Sequence, residues 1–329
     1  MGGVSRTPIR NTDKEHRRAI DSLRLKTITM DFRTIVDLPQ PAFAIQPCER
    51  MLFVGSCFAD RIGRRFQEEK FHAVVNPYGV MYNPVSIRHT VERFLQEEAA
   101  AEPVRTAFLT LGTNHVYVEK ATGEVVDNCQ KRPQRLFDEQ QLSVEVCAEE
   151  LRQAVGLLRR RYPAVHVIIT VSPIRYAKYG YHQSQLSKST LLLAVDQLIR
   201  EWSKPSAATG HNGLEQNQGH PGEVPAYFPA YEIVNDELRD YRFYQPDMLH
   251  PSDQAVEYIW QRFVETWLSP AALQFIEEWR SVKEALGHRP FHPESEAYKT
   301  FRTRTLEQAR KLAKRYPGFE PEELLKESE

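Results

Sequence analysis

The chain has 329 residues, with 43 Lys and Arg against 44 Asp and Glu, and the resulting net charge of −1 leaves no basic field to hold nucleic acid. No apolar run approaches the length that spans a bilayer, and the polar N-terminus lacks the apolar centre of a signal peptide, which points to a cytoplasmic protein without membrane partners. Cys48, Cys57, Cys129 and Cys147 lack CxxC spacing, so neither a zinc knuckle nor a disulfide framework is expected, and Cys48 and Cys147 read as apolar filler.

Residues 1–29 are polar and without apolar period, which predicts a disordered extension. An α/β domain is expected over 30–270. Met51-Leu52-Phe53-Val54 is a short apolar run ending at Gly55, the pattern of a buried parallel strand. Phe58, Ile62 and Phe66 then recur every fourth residue among charges, which predicts an amphipathic helix on that strand. Further strands are predicted at Phe71–Val75, Phe108–Gly112 and Val165–Val171. Ser143 caps a predicted helix carrying Cys147, Leu151, Ala154 and Leu158, and another helix covers Leu191–Ile199. Residues 204–223, rich in Gly, Asn, Gln, Pro and Ser, read as a flexible insertion. Ser252 caps a helix with Val256, Ile259, Trp260, Phe263 and Trp267 on one stripe. Residues 271–329 read as a helical extension, with Leu273, Ile276 and Trp279 on one side. Strands alternating with helices imply a mainly parallel sheet covered on both faces.

In such sheets ligands bind beyond the carboxyl ends of the strands. Those ends carry Gly55-Ser56-Cys57, Asn76 to Gly79, Gly112-Thr113-Asn114 and Ser172-Pro173: two candidate nucleophiles, glycine turns and an amide side chain. Acyl transfer needs an activated nucleophile and donors for an oxyanion. Asp247-Met248-Leu249-His250 supplies the missing base, because a carboxylate three residues before a His can fix its tautomer. Arg175 and Lys188 lie near the expected cleft as candidate holders of an anionic substrate group. His115, His166, His182 and His288 lack metal-ligand spacing and read as surface or satisfied core. No phosphate-binding glycine loop occurs, and no metal or cofactor is expected.

Leu52-Phe53-Val54-Gly55-Ser56-Cys57-Phe58-Ala59 resembles the signature of the GSCFA family of bacterial proteins. The resemblance continues in order through Asn76 to Gly79, Thr110 to Thr113, Asn128-Cys129-Gln130-Lys131, Thr170 to Arg175, Tyr227 to Glu232 and Asp247 to Pro251. That family resembles the SGNH (GDSL-like) hydrolases. The resemblance implies a three-layer flavodoxin-like fold and a Ser–His–Asp type of site, with oxyanion donors from the nucleophile amide, a Gly and an Asn. Laid ungapped on Gly-Asp-Ser-Leu, Cys57 falls on the nucleophile position; with a turn one residue shorter, Ser56 does. Gly79 is the candidate glycine donor. Asn114 fits the local pattern of the amide donor and Asn128 the family pattern. Gln130 and Tyr176 stand where relatives often carry His. Two functions follow as expectations: an esterase or acyltransferase for a small-molecule or carbohydrate ester, O-acetyl among them, and a non-catalytic glycan- or acyl-ligand-binding module on the same scaffold. Oligomeric state is not legible.

Overall fold

The computed structural model describes residues 32–98, 102–127, 129, 132–203, 224–288 and 290–321. The chain divides into two units, Met1–Thr34 and Ile35–Glu329, and every element below belongs to the second. The extension expected at 1–29 and the insertion expected at 204–223 lie outside the described residues, as does Asn128.

Five parallel strands form the central sheet: β1 (Arg50–Gly55), β2 (His72–Val75), β3 (Thr106–Leu111), β7 (His166–Val171) and the short β8 (Ala226–Tyr227), in the order β2-β1-β3-β7-β8. Between β3 and β7 the chain builds a separate antiparallel sheet of β4 (His115–Glu119), β5 (Val125–Val126) and β6 (Phe137–Gln141), in the order β5-β4-β6. Seven longer helices complete the described residues: α1 (Cys57–Glu68), α2 (Pro84–Glu97), α3 (Val144–Arg161), α4 (Gly180–Ser203), α5 (Asp253–Trp267), α6 (Pro270–Gly287) and α7 (Glu296–Arg315). Among them, no helix is long and apolar enough to cross a membrane.

Strand alternation divides the interior in two. Met51, Phe53, Phe108 and Ile168 face a core completed by α1, α5, α6 and α7, whereas Leu52, Val54, Leu109 and Ile169 face one completed by α2, α3 and α4. Three layers result, as the sequence implies. The Phe58/Ile62/Phe66 stripe buries against the first core, where Phe66 meets Trp260 and Phe263 edge-on. In α6 the buried side is Ala272, Phe275, Ile276, Trp279 and Val282, while Leu273 is exposed; the stripe is set one residue from the Leu273 register expected. Trp279 Nε1 donates to Glu68 O at 3.0 Å and Phe319 packs on Phe275, so α6 and the segment after α7 share the core beneath α1.

The strand order places β1 between β2 and β3, so the chain reverses its winding at β1/β3. That switch point opens a crevice at the carboxyl ends of these strands. Gly55 and Gly112 mark it.

Candidate active site

The turn from β1 into α1 is fixed on three sides. Gly55 N donates to Asn76 Oδ1 (2.9 Å), Met81 N donates to Gly55 O (2.8 Å), and Ser56 N is shared between Thr110 Oγ1 (2.8 Å) and Thr110 O (3.2 Å). Gly55 has φ +138°, and a Cβ there would stand 2.1 Å from Thr110 O, so no other residue fits this close approach. Asn76, itself at positive φ and 7% exposed, also holds Asp60 through Nδ2.

The two nucleophile candidates receive different surroundings. Ser56 is fully buried; its Oγ accepts Phe58 N as the N-cap of α1 and meets Thr110 Oγ1 at 3.1 Å. Cys57, the first residue of α1, is half-buried, and its Sγ lies 3.8 Å from Tyr82 Oη. The Cys57 amide has no acceptor among the described residues. Burial, followed by the neighbouring thiol, pushes the Tyr82 phenol up to about 12, so it stays a proton donor at neutral pH.

Asp247 and His250 lie on a loop closed by the Tyr244↔Pro251 bridge and by Gln245 N donating to His250 O at 2.7 Å. Asp247 Oδ1 accepts the amides of Leu249 (2.8 Å) and His250 (3.0 Å), and Oδ2 lies 2.6 Å from His250 Nδ1. The His250 and Leu249 amides, with the imidazole, hold the Asp247 carboxyl down at about 2. An ionised carboxylate only accepts, so Nδ1 carries a hydrogen, and in the neutral tautomer this leaves Nε2 as the acceptor.

Two ties bring this loop to the strand-end crevice. Arg175, after β7, donates its amide to Leu249 O (3.1 Å) and its guanidinium to Met248 O (3.0 Å). Arg61, one turn along α1 from Cys57, pairs with Asp253, three residues after His250, at 2.7 Å. His250 and Cys57 are not hydrogen-bonded to each other.

The remaining candidates are placed otherwise than expected. Gly79 (φ +93°) donates its amide to Asn76 O at 2.9 Å inside the loop, which commits the N–H that an oxyanion would need, and a Cβ there would meet nothing within 4 Å. Asn114 donates Nδ2 to Leu142 O at 2.8 Å and locks the β4–β6 sheet; its unpartnered atom is the acceptor Oδ1. Lys188 is 2% exposed and spends its ammonium on Gly112 O and Ser172 O, both at 2.7 Å, so it clamps the ends of β3 and β7 rather than facing an anion. Burial pulls it down to about 7, against two carbonyl acceptors that favour the charged form. Arg175 stacks between Tyr181 (4.3 Å) and Tyr244 (5.3 Å) and holds the Asp247 loop.

Residues outside the set of site candidates also gather here. Tyr82 and Tyr176 meet edge-on, ring centroids 5.8 Å apart, and a Cβ on Gly112 would stand 2.3 Å from Tyr176 Oη. His115, expected at the surface or as satisfied core, is 6% exposed with Nδ1 on Glu139 and Nε2 unpartnered among the described residues. Tyr82 lies three residues beyond the Asn76 to Gly79 block, and no motif in the sequence marked it.

The family model described as "GSCFA family" matches residues 50–106 and 98–263, and that described as "GSCFA domain protein, C-terminal domain" matches 279–329. The chain belongs to the GSCFA family. No curated protein matches it. Similar solved structures include an acetyl esterase mutant with acetate ion, 11% identical, with 70% of this chain and 99% of that chain covered at TM-score 0.38. A carbohydrate esterase family 3 protein from Talaromyces cellulolyticus is 10% identical over 70% of this chain and 99% of that chain, TM-score 0.34. A structure described as a GDSL-like lipase from Parabacteroides merdae is 10% identical over 69% of this chain and 98% of that chain, TM-score 0.42.

Proposed function

We propose that this GSCFA-family chain transfers or hydrolyses an ester-linked acyl group, with Cys57 as nucleophile, His250 as general base and Asp247 as the group that orients it. The observation that carries the reading is the Asp247–His250 contact of 2.6 Å on a loop tied by Arg175 to the end of β7 and, through Asp253, by Arg61 to the helix that begins at Cys57. Nε2 is the base; it takes the thiol proton as Sγ attacks the ester carbonyl, then returns it to the departing alkoxide. The thioester so formed is cleaved by water, or by an acceptor alcohol, activated at the same nitrogen. The unpartnered Cys57 amide at the start of α1 is the first oxyanion donor, where the helix N-terminus favours negative charge. Tyr82 Oη is the candidate second donor, in place of Gly79 and Asn114, whose N–H groups are already committed. Asn128 remains a candidate from the family pattern alone.

Ser56 then serves the fold: its hydroxyl caps α1 and is closed to substrate. A second reading, a binding module using this crevice without turnover, is favoured by the missing hydrogen bond between Cys57 and His250, although such bonds often tighten only with substrate present. A panel of short-chain p-nitrophenyl esters and acetylated sugars separates the two. Turnover that His250→Ala removes supports the enzyme; saturable binding with no turnover on any ester supports the module.

A further inference from the structure

Beyond Tyr82 a cavity of about 490 Å³ opens, with Tyr82, Tyr117, Tyr176, Tyr179, Thr113 and His115 among its walls. The His115 ring stacks on Tyr179 with centroids 3.8 Å apart, and its Nδ1 lies 3.1 Å from Glu139 Oε1. A carboxylate partner places the hydrogen on Nδ1, and burial favours the neutral imidazole, so Nε2 is a buried acceptor. It has no partner among the described residues, and neither does the buried Tyr176 Oη, a donor. Buried polar atoms are normally satisfied, so an unmatched acceptor and an unmatched donor in one cavity wall call for a ligand that offers both. A hydroxyl does. Among the described residues the lining contains no Lys or Arg, and its carboxylate, Asp127, is engaged by His89 Nδ1 at 2.9 Å, which disfavours an anionic ligand. Tyrosine faces suit the C–H surfaces of a saturated ring.

We infer that this cavity receives the alcohol portion of the ester, a neutral polyhydroxylated ring of the sugar type, and that His115 Nε2 accepts a hydrogen bond from one of its hydroxyls. The inference rests on the acyl-transfer reading above, with Tyr82 as the wall between Cys57 Sγ and the alcohol.

The test compares two acetyl esters, p-nitrophenyl acetate and a methyl glucopyranoside carrying a single acetyl group. His115→Phe keeps a ring against Tyr179 and removes the acceptor. The ratio of kcat/KM for the sugar ester to that for p-nitrophenyl acetate is expected to fall about tenfold or more, through KM; an unchanged ratio overturns the inference. A second measurement stands apart from turnover and from the folding of any variant. In the ¹⁵N-labelled wild-type chain, methyl glucopyranoside alone should displace the His115 Nε2 resonance in a saturable manner. A resonance unmoved to the solubility limit of the sugar overturns the inference, even where both esters are hydrolysed. Displacement without hydrolysis of either ester keeps the cavity assignment and sinks the acyl-transfer reading instead.

Discussion

Asp247 holds His250 twice, through its backbone amide at 3.0 Å and its imidazole Nδ1 at 2.6 Å, so one carboxylate sets both the loop and the ring. The local spacing Asp-x-x-His makes this possible without any other element, and Arg175 then fastens the loop to the end of β7.

The first prediction concerns acid. The Asp247 carboxyl titrates at about 2 in the folded chain, against about 3.9 in an unfolded one. A depressed carboxylate stabilises the fold fully above the unfolded value and loses that contribution as pH falls through about 2. The loop therefore keeps its shape through the mildly acidic range. A carboxyl ¹³C titration should place the Asp247 inflection near 2; an inflection near 4 would contradict the hydrogen bonding described. Asp247→Asn keeps size but loses the charge behind the imidazole, and should lower kcat by about a hundredfold or more.

The second concerns the paired residues Ser56 and Cys57. Ser56→Ala removes a buried helix cap and should cost about 1 kcal/mol of stability, read as a lower Tm, while turnover persists. Cys57→Ala should leave Tm nearly unchanged and abolish turnover. The reverse pattern would move the nucleophile to the hydroxyl.

Lys188 gives a third. Its folded value of about 7 lies below the unfolded value of about 10.4. Between these limits the unfolded chain binds the extra proton, so this group makes stability rise with pH, by up to about 1.4 kcal/mol per pH unit. Denaturant unfolding across pH 7 to 10 should show that slope in the wild type relative to Lys188→Met, whose side chain has no proton to lose. Parallel stability curves for the two proteins would mean that Lys188 stays charged between its two carbonyls.

The fourth tests whether the C-terminal helices belong to the same cooperative unit as the sheet. Trp279 is 2% exposed and bonded to Glu68 O at 3.0 Å, under the helix that carries Cys57. Trp279→Ala should cost about 3 to 5 kcal/mol and shift the single unfolding transition of the whole domain. A separate early transition, with the rest unmoved, would make residues 271–329 an independent appendage.

Much of this architecture was legible because burial writes itself as period. Leu52 to Val54 is apolar throughout since both faces are covered, and Phe58, Ile62 and Phe66 repeat at helical spacing because one face is. The antiparallel sheet was not legible. Four of the five residues of β6, Asp138 to Gln141, are exposed, so no alternation marks it. Asp247 and His250 were readable as a pair since their partnership is local in sequence. The surroundings of Asn114 and Lys188 were not readable for the opposite reason: their donors are taken by the carbonyls of Leu142, Gly112 and Ser172, far along the chain, whereas the Gly79 amide is taken locally by Asn76 O, within a turn that no sequence spacing specifies. His115 was hidden likewise, because Glu139 approaches it only through the β4–β6 pairing.

The central claim is that Cys57 carries the acyl group. Rapid acid quenching of the wild-type chain during turnover of p-nitrophenyl acetate, followed by peptide mass spectrometry, tests it directly. An acetyl thioester on the Cys57 peptide, absent in His250→Ala, is the predicted result; turnover with the acetyl group on Ser56, or with Cys57 unmodified throughout, would contradict it.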